Sequence, residues 1–476
     1  MRESVLKKIK VPHTYVLLFL LVVVMAILTW FIPSGSFKTV EKEVSPGLTK
    51  NVIISGTYQT TSKVTEDGTD IRQGIFDVLK APAEGVQAAA QVVAFIFILG
   101  GAFAIITKTG AISSGLASVA NIVKGKESLI IPVMMLVISV GGSVIGTSEE
   151  TLPFYMLFYP LLISFGYDSI TTVMMILLSS QIGYTGSTLN PFNVLVAQGL
   201  VGIQGNPQLW LRCIEYVVYI AIAMTFVMLY ARKVKKDPKK SLMYESDLRN
   251  KEYFISSQND VDNIKFTARH KIILIGLGAG IVWMVWGLLK KGYYMDEIAA
   301  IFLAVGIFAG IVGKLSLNDM GEAFVFGLKD FAYAAIVIGM ANAILVIAQN
   351  GQIIDTILNY LANGLKSVPV AGFTTVMLLV QNVIAFFVPS SSGQAALTMP
   401  IMGPLAELLK INKEAIVTTY QAGNGITNII SPTNGILMAA LGLGRISLGK
   451  WVKSVIKLVI IIELAAMVFC AISAFV

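Results

Sequence analysis

Apolar residues along this chain come in long unbroken runs, not in the alternation of strands or the one-sided stripe of a soluble helix. The stretches 15–33, 89–107, 270–290, 331–349 and 453–476 are the clearest. Each reaches about 20 residues, enough for a helix to cross a ~30 Å hydrocarbon core. A polar stretch at 34–75 follows the first run, and a charged one at 232–269 divides the chain near its middle. The pattern predicts an all-α polytopic membrane protein in contact with a lipid bilayer. A secretory signal has an apolar segment of about 7–15 residues before a small-residue cleavage site. The first run is longer and ends Trp30-Phe31-Ile32-Pro33, which reads as a retained helix with an interfacial tryptophan.

Two landmarks recur at a single offset. Gly110 follows Lys108-Thr109 and Gly351 follows Gln349-Asn350, and each opens a more amphipathic stretch, 111–123 and 352–365. Asn190-Pro191-Phe192-Asn193 likewise matches Ser431-Pro432-Thr433-Asn434, and both separations are 241 residues. A shared offset predicts duplication. The expected organisation is a tail at 1–14, a first transmembrane repeat at 15–231, a charged linker at 232–269 and a second repeat at 270–476.

Each half also carries a polar break inside apolar sequence: Gly146–Pro153 in the first, Pro389–Gln394 in the second. The flanking pieces are about 10–16 residues, too short to span, which suits re-entrant hairpins at about 135–166 and 372–410. Pro191 and Pro432 lack an N–H and clash with the preceding turn, so broken helices are expected at about 170–205 and 414–445. Non-helical backbone at membrane depth costs several kcal/mol per unsatisfied group unless protein or a wet cavity meets it. Discontinuous helices of repeat-built transporters meet that need around a solute held near the bilayer midplane.

The residues at these breaks can serve as ligands. Ser187, Thr188, Asn190 and Asn193 cluster at the first broken helix, and Asn424, Thr427, Asn428, Ser431, Thr433 and Asn434 at the second. Ser148 and Thr151 lie at one hairpin tip, and Ser391, Ser392, Gly393 and Gln394 at the other. Hydroxyls and amides both donate and accept, so they suit a carboxylate, an amino group or Na⁺. The alternative role for such residues is helix packing. Glu149 and Glu150 are the sharpest feature, because residues 127–211 contain no Lys or Arg to neutralise them. An acid near the bilayer centre costs about 2.5–3.5 kcal/mol. The pair reads as a counter-charge for a cationic solute or as a carrier of H⁺; a solvated tip is the plain alternative.

Composition narrows the choice further. The chain is 55% hydrophobic and only 13% charged, against roughly 25% charged for soluble domains. Its net charge of +8 gathers in the tail (Arg2, Lys7, Lys8, Lys10) and at Arg232–Lys240. Basic residues abutting apolar spans mark cytoplasmic segments, so the N-terminus is expected inside the cell and no nucleic-acid partner is implied. Cys213 and Cys470 sit in apolar runs, and His13 and His270 stand apart, so no metal site is supported. Gly444–Lys450 has the spacing of a phosphate-binding loop, but Trp451 stands where Ser or Thr would hold Mg²⁺. No cofactor and no enzymatic activity are expected, only a coupling Na⁺ or H⁺.

The segments Pro389–Pro400 and Gly423–Asn434, with Ser187–Asn193, resemble the YfcC/DcuC-like family, often labelled C4-dicarboxylate anaerobic carriers. The resemblance covers essentially the whole chain. It implies the ion-transporter superfamily: two inverted repeats with re-entrant hairpins, a scaffold that forms a homodimer, and an elevator-type transport domain. It also implies a bacterial inner-membrane protein. Some YfcC-type members are associated with arginine/ornithine exchange, and carboxylates at a hairpin tip would suit a guanidinium or ammonium. A C4-dicarboxylate coupled to Na⁺ or H⁺ is the alternative substrate. A channel is the remote one, because duplicated occluding hairpins point to alternating access.

Overall fold

A computed structural model describes residues 14–45, 48–112, 114–115, 118, 125–249, 266–291 and 293–476. The basic tail 1–13 with His13, most of the amphipathic stretch 111–123, and linker residues 250–265 lie outside the described residues. Among those described, eight helices are long and apolar enough to cross a membrane. They include all five of the clearest apolar runs and add Glu127–Ile145, Leu209–Lys236 and Met295–Val312.

The all-α expectation is corrected in the loop after the first helix, Thr14–Phe31. There Gly35–Ser36 pairs antiparallel with Gln59–Thr60, and Thr39–Ser45 with Leu48–Ile53. Thr and Val recur in these segments, and a polar loop outside the apolar runs is free to use extended backbone. Lys63 fastens the loop by donating to the carbonyls of Thr29 and Ile32 at the end of the first helix. Such carbonyls have no partner within the helix itself. Arg72 lies 4.6 Å over the ring of Trp30, whose Nε1 donates to Gln73 O at 3.0 Å.

One group of helices gathers around Leu317–Asn350, a 34-residue helix whose Ser316 cap accepts the Asp319 N–H at 3.0 Å. Helices Ile75–Ala88 and Ala90–Lys108 lie along it, joined at Ala89. Glycine permits the closeness: a Cβ on Gly327 would sit 2.3 Å from Gly100 O, and one on Gly85 2.2 Å from Gly339 O. Backbone contact through small residues is how helices associate where lipid removes the hydrophobic drive.

The hairpins and broken helices form the rest. The stretch expected as the first hairpin comprises Ile130–Val140 with a π turn at Gly141–Ile145, then Leu152–Ser164. The second comprises Val370–Phe387 and Ser391–Leu408. The second pair runs to 18 residues each, longer than the sequence suggested. The reason is that Ser391–Gln394, read as part of a polar break, winds into the first helical turn behind the Ser390 cap. The first broken helix runs from Ser169 to Thr185 and restarts at Val194–Val201. The second runs Lys413–Asn428 and restarts at Gly435–Leu443. Val194 and Gly435 are 241 residues apart, the offset found between the two Pro-containing motifs.

Candidate functional site

At the first hairpin tip the chain turns at Gly146, whose φ of 84° only glycine adopts freely. A Cβ there would also meet Asn190 Oδ1 at 2.5 Å. The tip leans on the first broken helix. Ser180 Oγ donates to Thr147 O at 2.7 Å, Tyr184 OH to Gly146 O at 2.5 Å, and Gln181 Nε2 to Ser148 Oγ at 3.3 Å. Thr151 Oγ1 donates to Ser148 O at 2.6 Å. The two acids diverge. Glu150 is buried and folds back so that Oε2 accepts the Ser148 N–H at 2.8 Å. Glu149 is half-buried and its Oε1 accepts from Tyr294 OH at 3.3 Å, at the start of helix Met295–Val312.

Side chains meet the freed backbone of the first break. Ser143 Oγ donates to Gly186 O at 2.9 Å, Asn206 Nδ2 to Thr188 O at 2.8 Å, and Asn190 Nδ2 to Gly142 O at 2.9 Å. Ser187 Oγ donates to Tyr184 O at 2.8 Å, and the Thr188 N–H to Ser143 O at 3.0 Å. Asn193 differs. It is fully buried at the entry to Val194–Val201, and neither its Oδ1 nor its Nδ2 has a partner.

In the second half, Gln394 Nε2 donates to Gln381 Oε1 at 2.7 Å, and Asn424 Nδ2 donates to Gln394 Oε1 at 2.8 Å. Asn428 Nδ2 donates to Pro389 O at 3.0 Å, Thr427 Oγ1 to Asn382 O at 3.3 Å, and Thr433 Oγ1 to Phe386 O at 2.6 Å. The Ser431 hydroxyl lies 2.6 Å from that of Thr433, and Ser391 O accepts from Tyr420 OH at 2.6 Å. Ser392 is buried in the turn beside Gly393. Asn434 Oδ1 caps the restarted helix by accepting the N–H groups of Ile436 and Leu437 at 2.9 and 3.1 Å. Trp451 Nε1 donates to Ile429 O at 2.8 Å, so the residue in the Mg²⁺ position of the false phosphate loop serves the second break.

Most of the predicted ligands thus hold the breaks together. Among the described residues around the hairpin tips and breaks, the buried polar atoms left without a partner include both amide atoms of Asn193, Asn428 Oδ1, Gln181 Oε1 and Gln381 Nε2, a mixed set of donors and acceptors. The two broken helices cross in contact, since a Cβ on Gly425 would lie 2.6 Å from Thr185 N. Gln181, Gln381 and Tyr294 were not read from the sequence as ligands. Gln181 could have been found, because it lies about one and a half turns before the break at 186–193.

A second polar group also escaped the sequence reading. Arg212 is fully buried and donates through Nη1 to Gln421 Oε1 at 2.7 Å and through Nη2 to Glu414 Oε2. Gln198 Nε2 completes Glu414 by donating to Oε1 at 2.9 Å. Arg212 and Glu215, three apart at the start of a helix, share a face, and that spacing was the available signal.

Comparison with known proteins identifies the family. The family model described as "DcuC: C4-dicarboxylate anaerobic carrier" matches residues 11–474. An Escherichia coli (strain K12) protein named "Putative basic amino acid antiporter YfcC" is 34% identical over 472 residues, covering 93% of this chain and 92% of that one. An uncharacterised Haemophilus influenzae protein is 30% identical over 490 residues, with 95% of each chain covered. The solved structure of Neisseria gonorrhoeae MtrF, reported with a class of antimetabolite efflux pumps, covers 98% of this chain and 96% of its own at 17% identity. Its TM-score of 0.38 is too low to bear on function. The family description and the name of the Escherichia coli relative are those of carriers and not of enzymes. With the family model matched over residues 11–474 and a relative 34% identical over 93% of the chain, the chain belongs to the DcuC family of membrane carriers.

Proposed function

We propose that the protein exchanges a basic amino acid, arginine against ornithine or a close analogue, across a bacterial inner membrane. The observation that carries this reading is the company of the acid pair. Glu149 and Glu150 sit among hydroxyls, amides and Tyr294, while Arg212, a fully buried base, is committed to Glu414 and Gln421 and so is not open to an anionic solute. Carboxylates facing a guanidinium form short charge-assisted bonds. Asn193, with an unpartnered amide at a helix N-terminus, suits the amino acid's own carboxylate. The name of the Escherichia coli relative supports the same substrate class. A C4-dicarboxylate, as in the family description, is the second reading.

The mechanism proposed with it is an elevator: the hairpins and broken helices move as a body against the group around Leu317–Asn350. In that scheme the halves 15–231 and 270–476 are inverted repeats, the scaffold forms a homodimer, and the N-terminus and linker 232–269 face the cytoplasm. Site residues in the scheme are Ser148, Glu149, Glu150 and Thr151; Ser187, Thr188, Asn190 and Asn193; Ser391, Ser392, Gly393 and Gln394; and Asn424, Thr427, Asn428, Ser431, Thr433 and Asn434. Counterflow of labelled arginine into proteoliposomes loaded with unlabelled ornithine, arginine, succinate or fumarate tests it. Trans-stimulation by ornithine and not by the diacids supports the reading. Stimulation by the diacids alone overturns it.

A further inference from the structure

Glu215 lies seven residues into helix Leu209–Lys236 and is fully buried. Its Oε1 has no partner, and its Oε2 has only Gln421 Nε2 at 3.5 Å, the limit of a hydrogen bond. Arg212, one turn earlier, gives its two terminal nitrogens to Gln421 and Glu414, while its Nε has no partner. One guanidinium therefore neutralises one carboxylate, Glu414, and a second ionised carboxylate would stand uncompensated in an apolar bundle. Among the described residues, Arg212 and Tyr219 on its own helix and Cys470 on Leu448–Phe475 lie beside Glu215. Glu414 on Lys413–Asn428 is linked to it through Arg212, and Glu463 on Leu448–Phe475 lies beside Tyr219 and Cys470. Tyr184 on the neighbouring broken helix already donates to Gly146 O, and segments 130–140 and 169–178 carry no titratable side chain. The Tyr219 hydroxyl, one turn beyond Glu215, is also without a partner.

We propose that Glu215 is a proton-binding site of the transporter, separate from the acid pair at the hairpin tip. A Glu215 oxygen takes a proton from hydronium and leaves water. The reverse step returns that proton to water. Protonated, the cluster is neutral, with Arg212 positive and Glu414 negative. Deprotonated, it carries a net negative charge that competes for Arg212. Gln421 then transmits the change, because its Nε2 also donates to Thr185 O at 3.4 Å, where the first broken helix ends against the second. Proton occupancy at Glu215 thereby bears on the crossing of the two broken helices. The proposal rests on membership of a transporter family and is independent of which solute is carried.

The test is infrared difference spectroscopy of the full chain reconstituted in lipid without solute, titrated from mildly acid to mildly alkaline pH. A carboxylic-acid carbonyl band present in wild type and missing in Glu215→Gln, but kept in Glu149→Gln and Glu150→Gln, supports the assignment. Identical difference bands in wild type and Glu215→Gln at every pH overturn it, because Glu215 then neither gains nor loses a proton over that range. Should Glu215→Gln fail to assemble, Glu215→Asp keeps an acid on a shorter arm. It must move that band, and an unmoved band overturns the proposal equally.

Discussion

Replacing Arg212 with Met removes the charge that ties helix Leu209–Lys236 to the second broken helix while keeping most of the side-chain volume. Glu414 is then left 2% exposed with a single neutral donor, Gln198, and Gln421 loses its partner at Oε1. Breaking a buried pair from one side costs about 3–5 kcal/mol, because the remaining charge stays uncompensated. At tenfold per ~1.4 kcal/mol, the opened population rises roughly a hundredfold to a few thousandfold. Cys470 reports that opening: it is fully buried on Leu448–Phe475, so a thiol-reactive dye labels it only as the bundle opens. Labelling should be run in a Cys213→Ser background, since Cys213 is exposed. Arg212→Met should label far faster than its parent, and Arg212→Met/Glu414→Gln should recover much of the loss, because no net charge remains. A single variant labelling as slowly as the parent would refute the reasoning, as would a double variant worse than the single.

Other expectations follow from the site and its packing. Glu→Gln at whichever of Glu149 and Glu150 contacts a cationic solute should weaken arginine binding on the order of 100-fold or more, since each ~1.4 kcal/mol is tenfold. Normal transport in both single variants would remove the basic-substrate reading and favour the dicarboxylate. Asn434→Ala should cost about 1 kcal/mol, seen as a lower thermal midpoint, because two N–H groups lose their cap. Gly425→Val should abolish folded yield on size exclusion, since even a Cβ lies 2.6 Å from Thr185 N and backbone cannot retreat cheaply. Cysteines placed in 1–12 or 232–268 should react with impermeant thiol reagents only from the cytoplasmic side, and labelling of both from outside would overturn the topology.

Span length and backbone breaks were legible in the sequence because both are one-dimensional. A run of apolar residues long enough to cross a bilayer is counted directly, and Pro191 and Pro432 stop a helix whatever surrounds them. The 241-residue offset is equally local, and the restarts at Val194 and Gly435 keep it. The acid pair stood out because residues 127–211 hold no base. Which polar groups would be used up could not be read that way. Asn190 and Asn434 look alike in the paired motifs, yet one binds Gly142 O across the hairpin and the other caps its own helix. Asn193, in the position matching Asn434, is left with no partner at all. Arg212, Glu215, Glu414 and Gln421 are scattered over more than 200 positions, and only the folded bundle, which brings side chains of Leu209–Lys236 within hydrogen-bond reach of Lys413–Asn428, makes them one cluster. A hydrogen bond needs its two atoms within about 3.5 Å, a distance that sequence separation does not encode and the folded bundle alone supplies.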